Sequence, residues 1–515
     1  EWRWLNARRR RADQAEVNLR PLADMLRRGF WISRRVLARV ALGAAWLLIL
    51  AFLLMNIAVG LVWGIQMRTL ADKPNIVFIM VDALRADHLG CYGYDLPTTP
   101  QIDTLAQQSL RFERAIAQSS WTVWSVSSLM SSRHPDRLFA NAIKYNDDSG
   151  AASDTALDTY YPSLAEALRE QGYATHAIIS NVWLHRSPAN AQGFESYDDS
   201  LTMTLFGKDT APGVTDLAIR RLDRFAGRPF FLSLVYIDPH EPYYTHEQFH
   251  YGASRQEKAR GTGVATALTP WQLADRRNRL QAYDSEIGYV DNQVGIFLDA
   301  LKRQGLYDDS LIVFFSDHGE EFYEHGGVTH RRTVYDEVTQ VPLIIKLPRQ
   351  TRGRVVPGVM PLLDLYPSLL AYLGVDASAL GLQGDAVSLA SLLRCADKPV
   401  YSATDIGPQS VRNGRWKYIR TVNLEALRQS RHAKASVKVR PTREEVYDLS
   451  SDPLENRDLH GQAPSVDEQL VALMQARDAR VLPADVVHEA GTAPERVNLT
   501  KTMIERLKAL GYLQQ

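Results

Sequence analysis

The hydrophobic pattern divides the chain into three textures. The first is Val40 to Met67, 28 residues without a charge, in which Asn56 and Gln66 are the only strongly polar side chains. The second begins at Pro74. Apolar runs of strand length, at 75–82, 174–180, 230–237, 311–317 and 341–348, alternate there with helical patterns such as 162–172. Short continuous apolar runs suit strands buried on both faces. Between 281 and 304, Ile287, Val290, Val294, Phe297 and Leu301 keep helical spacing, and Gly305 supplies a stop. Strands alternating with helices predict an α/β fold whose central, mostly parallel sheet is flanked by helices. The third texture starts near residue 376. VYSATD, QSVRNG, RWKYIRTV and EEVYDLSSDP are short strand-like stretches separated by turns, which predicts a small C-terminal antiparallel-sheet subdomain. Residues 424–443 read as a basic surface excursion, and the last 18 residues as a terminal helix.

Charge changes the meaning of the first texture. The 515 residues carry 59 Lys+Arg and 59 Asp+Glu, a formal charge of zero, which argues against a nucleic-acid partner. That zero is a cancellation. Residues 1–39 hold eleven arginines against Glu1, Asp13, Glu16 and Asp24, a surplus of seven; the remaining 48 basic and 55 acidic residues give the matching deficit. About 20 apolar residues cross a bilayer core of roughly 30 Å. The run 40–67 exceeds that length, with Trp46 and Trp63 toward its ends. It is longer than a signal-peptide core and lacks the polar face of a core helix. It therefore predicts one visible transmembrane helix in a cell (inner) membrane, with the bilayer lipid as a partner. The arginine-rich N-terminus is then cytoplasmic, and everything after Met67 periplasmic or extracellular. The expected organisation is a basic segment 1–39, a transmembrane helix 40–67, a linker 68–73, a catalytic domain 74–375 and a C-terminal subdomain 376–515. Cys91 and Cys395 are the only cysteines, which excludes a disulfide framework and a cysteine-based zinc site.

Candidate chemistry sits where strands end. Asp82 closes NIVFIMVD; Asp317 closes LIVFFSD and is followed by His318. Ligands in open α/β sheets gather beyond the carboxyl ends of strands, so two distant segments deliver these three residues to one rim. From Pro74 on, the chain resembles the sulfatase family of the alkaline phosphatase superfamily. PNIVFIMVDALRADHLGCYGY is similar to that family's opening segment, YIDPHEPYY (236–244) to its central His segment, and 283–326 to its helix–strand–metal segment. RNGRWKYIR and EEVYDLSSDPLENRDL are similar to its smaller C-terminal sheet. The resemblance implies an alkaline-phosphatase-like fold and a metal site at Asp82, Asp317 and His318 together with the nucleophile. It also implies substrate-binding and catalytic roles for His240 and His330. A divalent metal would neutralise an anionic ester and acidify a bound hydroxyl. With imidazole among the ligands, Mn²⁺ or Zn²⁺ is expected rather than Ca²⁺ or Mg²⁺. Arg85 is a further candidate contact to the anion, in competition with an ion pair to Asp87 or a neighbouring acid.

The nucleophile departs from the family. Sulfatases carry Cys or Ser in a Cys/Ser-x-Pro-x-Arg signature that matures to formylglycine. In SSWTVWSVSSLMSSRHP (119–135) that position falls on Thr122, Trp124 replaces the proline and Val126 the arginine. Thr122 begins an expected short helix over 123–131, whose N-terminus favours an anionic ester and an alkoxide; Ser119, Ser120 and Ser125 compete with it. Thr122 would attack as an activated hydroxyl and also join the metal ligands. Threonine-using, membrane-anchored relatives include lipoteichoic acid synthases and phosphoethanolamine transferases. The leading expectation is accordingly a membrane-anchored, metal-dependent hydrolase or transferase of phosphate (phospho-alcohol) esters that works through a covalent threonine intermediate. Its substrate would be an anionic ester on a lipid or glycan. The alternatives are a sulfuric ester hydrolase without formylglycine, and a non-catalytic relative that binds anionic glycans or lipids. Loops 183–215 and 243–275 are expected to choose the substrate.

Overall fold

The structure is a computed structural model and describes residues 39, 41–55, 73–138, 161–203, 209–225, 227–255, 268–380, 382, 398–422 and 441–481. The chain divides into two units, Glu1–Leu70 and Ala71–Gln515. Of the first unit, residues 41–55 form an exposed helix, and the remainder of the expected transmembrane segment lies outside the described residues. Among the described residues no helix is long and apolar enough to cross a membrane. The basic stretch 424–440 and the expected terminal helix also lie outside them.

The second unit is built on a nine-stranded sheet. Its strands are β1 (Asn75–Val81), β2 (Leu110–Ile116), β3 (Ala174–Ile179), β4 (Ser196–Asp198), β5 (Phe230–Tyr236), β6 (Ser310–Phe315), β9 (Gln340–Val341), β10 (Leu343–Lys346) and β11 (Arg354–Pro361). Between β6 and β9 lies a two-stranded hairpin, β7 (Glu321–Phe322) and β8 (Val328–Thr329). The order in the main sheet is β11-β2-β10-β6-β1-β5-β3-β4, with β9 beside β2. Only β9 and β10 run against their neighbours. Every apolar run read as a strand is one, but the run 341–348 is split at Pro342, which has no N–H for the ladder. The arginine- and glutamate-bearing β2 escaped the apolar-run criterion because its Arg111 and Glu113 side chains reach the sheet's partly exposed margin.

The strand period places alternate side chains on opposite faces. Ile76, Phe78 and Met80 of β1 pack into one hydrophobic layer, while Val77, Ile79 and Val81 pack into the other. The first layer is completed by helix residues such as Leu129, Leu164 and Leu369. The second is completed by Val214 and Ala218, and by Ile287, Val290, Val294, Phe297 and Leu301 on a helix that runs from Pro270 to Arg303. That helix is longer than the pattern 281–304 predicts, because its first turns are polar. Thr269 and Gln272 nevertheless cap it reciprocally, and Pro270 supplies a preset first residue. A separate four-stranded antiparallel sheet follows: β12 (Val400–Ala403), β13 (Pro408–Asn413), β14 (Trp416–Val422) and β15 (Pro441–Asp448). The α/β architecture with a C-terminal antiparallel sheet therefore agrees with the sequence pattern.

His325, in the turn of the hairpin, ties it to residues 335–337 and to the segment after β15. His325 Nδ1 donates to Glu337 at 2.6 Å, its Nε2 lies 3.1 Å from the Glu455 carbonyl, and its ring stacks on Tyr335 at 3.5 Å. Burial opposes charge on this imidazole, but the hydrogen bond and charge of Glu337 outweigh it and lift the ring to about 9. A raised histidine stabilises the fold fully below its unfolded value of about 6.5, and that contribution is lost as pH rises through the folded value. The melting-temperature gap between the native chain and His325→Gln is therefore expected to be largest near pH 6 and to close by about pH 9.5. A gap that widens with pH over that range contradicts this assignment.

Candidate metal and ester site

Parallel register brings the acids together. Met80 of β1 lies opposite Phe315 of β6. Two residues further along each strand stand Asp82 and Asp317. Asp82 N–H also donates to Tyr236 O at the end of β5, which leads into His240. Ile179 of β3 pairs with Val235 of β5, and two residues past Ile179 is Asn181. Four neighbouring parallel strands thus deliver Asn181, His240, Asp82, Asp317 and His318 to one edge of the sheet.

The turn after β1 is backbone-constrained. Ala83 has φ +55°, the left-handed region that L-residues usually avoid. It is held there by Tyr283, whose hydroxyl donates to Ala83 O at 2.7 Å and accepts from Arg85 N–H at 2.9 Å. Leu84 N–H donates to Ser316 Oγ, which itself donates to His318 O. In Asp317-His318-Gly319 the glycine is required sterically: a Cβ at Gly319 would lie 2.1 Å from Glu337 O.

Asp82, Asp317 and His318 are fully buried, with one ligating atom from each within 4.8 Å of the others. His318 Nδ1–H donates to Gly319 O at 2.9 Å, so in the neutral ring Nε2 holds the lone pair. That Nε2 lies 3.5 Å from Asp82 Oδ1 and 3.5 Å from Asp317 Oδ2. Both oxygens are buried without a hydrogen-bond partner. Burial raises the Asp82 carboxyl well above its usual range, and the charge of Asp317 adds to this against the hydrogen bonds of Asn181 and Ala83. Burial raises Asp317 as well. Converging acceptors that lack donors fit a cation, so the residues present suit the divalent metal that the resemblance implies.

Thr122 reaches the same point. It is the first residue of the helix Thr122–Ser131; Trp121 is the N-cap and makes no side-chain cap. Thr122 is therefore not an N-cap, and its Oγ1 lies 3.1 Å from His318 Nε2. Two of the three competing hydroxyls are engaged elsewhere: Ser120 Oγ donates to Thr333 O at 2.7 Å and Ser125 Oγ to Asp317 O at 2.6 Å. Ser119 Oγ is buried without a partner.

His240 and His330 stand beside the cluster. Their ring centroids are 4.7 Å apart, and His330 lies 4.3 Å from His318. His240 Nδ1–H donates to Glu241 O at 2.6 Å; His330 Nδ1 bonds Glu320 Oε1 at 3.0 Å. Burial pushes His240 down to about 3 and His330 well below its ordinary value, with His318 acting in the same direction on both. Both rings are therefore neutral before an anion arrives. Arg85 is placed differently from the anion contact considered for it. Its guanidinium is engaged by Asp87, by Glu324 at 2.8 Å and by Glu320 O at 3.0 Å, with 2 % of the residue exposed. The competing ion pair is the one that forms, because a buried guanidinium must satisfy its donors locally. Asn181, which donates to Asp82 Oδ2 and accepts from Trp183 N–H, was missed by sequence reasoning. Its signal was the one that revealed Asp82, a polar residue just past an apolar strand.

The sulfatase family profile matches residues 74–375. Human iduronate 2-sulfatase (Homo sapiens) is 28% identical over 397 residues, 64% of this chain and 70% of that protein. The choline-sulfatase of Rhizobium meliloti is 25% identical over 455 residues, 74% and 81% of the two chains. Among solved structures, the sulfatase yidJ of Bacteroides fragilis superposes with a TM-score of 0.66 at 21% identity, covering 80% of this chain and 98% of that one. The phosphonate monoester hydrolase of Agrobacterium radiobacter does so with 0.58 at 19%, covering 82% and 100%; at such identities these two speak to the fold alone. With a match over more than half of its 515 residues, and a fold to agree, the chain belongs to the sulfatase family.

Proposed function

We propose that this sulfatase-family hydrolase cleaves a sulfate ester at the Asp82–Asp317–His318 cluster, with Thr122 as nucleophile. The convergence of Thr122 Oγ1, at 3.1 Å, and two partnerless carboxylate oxygens on His318 Nε2 carries this reading. The named relatives that match the chain are sulfatases, which favours the sulfate-ester alternative over the phosphate-transfer reading that came first from the sequence. Asp82, Asp317, His318 and Thr122 would hold the divalent metal. When bound, it would supply Lewis-acid neutralisation of the ester oxygens and acidify a coordinated hydroxyl.

The chain's own groups then divide the work. Thr122 Oγ forms a bond to sulfur as the bond from sulfur to the alcohol oxygen breaks. The proton that Thr122 gives up is the one the alcohol ends with, carried through Nε2 of His240 or His330. Both rings are neutral in the buried site, and a nearby anion favours their protonated forms. Glu241 O and Glu320 hold the opposite ring nitrogens and so fix which nitrogen exchanges the proton. A water oxygen then bonds to sulfur as the bond from sulfur to Thr122 Oγ breaks; one water proton returns to Oγ and the other leaves with the released hydrogen sulfate.

A second reading keeps the same residues and replaces sulfate by phosphate, with transfer to water or to an alcohol. Thr122 itself favours it, because threonine cannot mature to formylglycine and a phospho-threonine needs no such maturation. In either reading the 28-residue apolar run 40–67 supports attachment to a bilayer with the catalytic unit outside, acting on anionic esters of lipids or glycans.

Thr122→Ala is expected to lower kcat/KM by about a thousandfold or more, as loss of a nucleophile does. Activity within about tenfold of the native chain removes Thr122 from this role. Dialysis against a chelator is expected to abolish turnover, with Mn²⁺ or Zn²⁺ restoring it; restoration by Ca²⁺ alone contradicts the ligand argument. Wild-type kcat/KM measured side by side on 4-nitrophenyl sulfate and 4-nitrophenyl phosphate is expected to favour the sulfate. The reverse ratio, with a phosphoryl adduct on Thr122 by intact-mass analysis, selects the second reading.

A further inference from the structure

We infer that Asp405, from the C-terminal antiparallel sheet, is a positioning residue for the ester site and acts through Arg331 on both His330 and the segment leading to Thr122. The inference rests on the roles proposed above for those two residues. Its starting point is a backbone anomaly. His330 lies between Thr329, with φ +71°, and Arg331, with φ +75°. Neither is glycine, and Thr is β-branched, so both are held against their own preference. Such a conformation persists only where the surroundings over-determine it.

The surroundings are specific. Arg331 N–H donates to Ser120 O at 2.7 Å, and Ser120 Oγ donates back to Thr333 O at 2.7 Å. The segment carrying His330 is therefore bonded directly to the segment that precedes Thr122. The Arg331 side chain repeats the link. Its guanidinium lies 4.1 Å from the ring centre of Trp121, the residue before Thr122. What holds it on that face is Asp405: Nε lies 3.0 and 3.2 Å from the two carboxylate oxygens, and Nη2 adds a further bond to Oδ2. Two parallel bonds to a planar fork fix orientation as well as distance.

Asp405 is itself anchored. It follows β12, where Ser402 Oγ donates to Ala117 O at 2.6 Å and Ala403 N–H donates to Gln118 O at 2.9 Å. Residues 117–122 are thus gripped from two sides, by 330–333 and by 402–405. The two grips meet at the Arg331–Asp405 pair. With Arg331 30 % and Asp405 17 % exposed on their side chains, the pair lies at the rim, where an ordinary surface ion pair contributes little to stability. Its consequence is geometric: it sets where His330 and Thr122 stand relative to each other.

The test uses the full-length chain and the variants Arg331→Gln, Asp405→Asn, their double variant, and Arg331→Lys. Hydrogen–deuterium exchange of peptides covering 117–124 and 328–333 is expected to quicken about tenfold or more in both single variants. The main-sheet strands should stay unchanged and the melting temperature close to wild type. kcat on the better of the two nitrophenyl esters is expected to fall about tenfold with KM little changed, as misplacement of reacting groups does. The double variant should be no worse than the poorer single one, because both remove the same link. Arg331→Lys, which keeps the charge but loses the fork, should not rescue. Unchanged exchange in both segments overturns the inference, as does additive loss in the double variant. If the wild-type chain turns over neither ester, the proposed chemistry fails, and the exchange measurement still decides the clamp.

Discussion

The site is organised by an electrostatic conflict. Two fully buried carboxylates, Asp82 and Asp317, point oxygens at the same imidazole nitrogen, and neither oxygen has a hydrogen-bond donor. Burial raises both carboxyls above their usual range, and the charge of Asp317 raises Asp82 further. Among the described residues no Lys or Arg pairs with either acid. The basic group best placed in sequence, Arg85, is instead held by Asp87 and Glu324. Two converging acids whose nearby cation is engaged elsewhere leave a position that suits a positive charge. Several structural details lie around that convergence: the left-handed Ala83, the steric demand for glycine at 319, and the Asn181 amide that holds the other oxygen of Asp82.

Much of this was legible in the sequence because the sheet is parallel and buried. Strands buried on both faces write themselves as continuous apolar runs, and β1, β3, β5 and β6 are such runs. A polar residue directly after one of these runs stands at the ligand-binding edge by topology alone, which is how Asp82 and Asp317 could be found. The rule would have found Asn181 as well. What the sequence did not show are contacts between segments distant along the chain. The choice of Arg85 between an anion and an ion pair depended on Glu324, 239 residues away, and no local pattern encodes that pairing. β2 was missed for a related reason: with arginines and a glutamate in LRFERAI, it has no continuous apolar run to read. The charge-free composition of the expected membrane segment is a property of sequence, and its helical character is described for residues 41–55.

Thr122 illustrates how position can count for more than residue type. As a side chain, threonine is a common N-cap at helix starts. The structure puts the cap one residue earlier, at Trp121, which has no side-chain oxygen to fill that role. Thr122 thereby becomes the first helical residue, and its hydroxyl is directed to His318 rather than to its own helix. The helix N-terminus still contributes, since its first N–H groups have no intrahelical partner and favour negative charge nearby. A hydroxyl, a helix start and the Asp82–Asp317–His318 cluster are thus collected at one point by segments that follow β2, β1 and β6.

The sheet edge alone does not complete that point. β1, β5 and β6 deliver Asp82, His240, Asp317 and His318 on a rigid frame, and their mutual placement follows from strand register. Thr122 and His330 arrive differently. Each lies on a connection, the first between β2 and its helix, the second after a two-stranded hairpin with a strained backbone on both sides. Connections lack the ladder that fixes strand ends, so their accuracy must come from bonds to something else. Here it comes from each other, through Ser120, Thr333 and Arg331, and from the strand end at Ser402 and Ala403. That division accounts for the packing of the small antiparallel sheet against the segment before Thr122, although among the described residues it supplies none to the Asp82–Asp317–His318 cluster. Register positions the ligands; the second sheet supports the groups that register cannot reach.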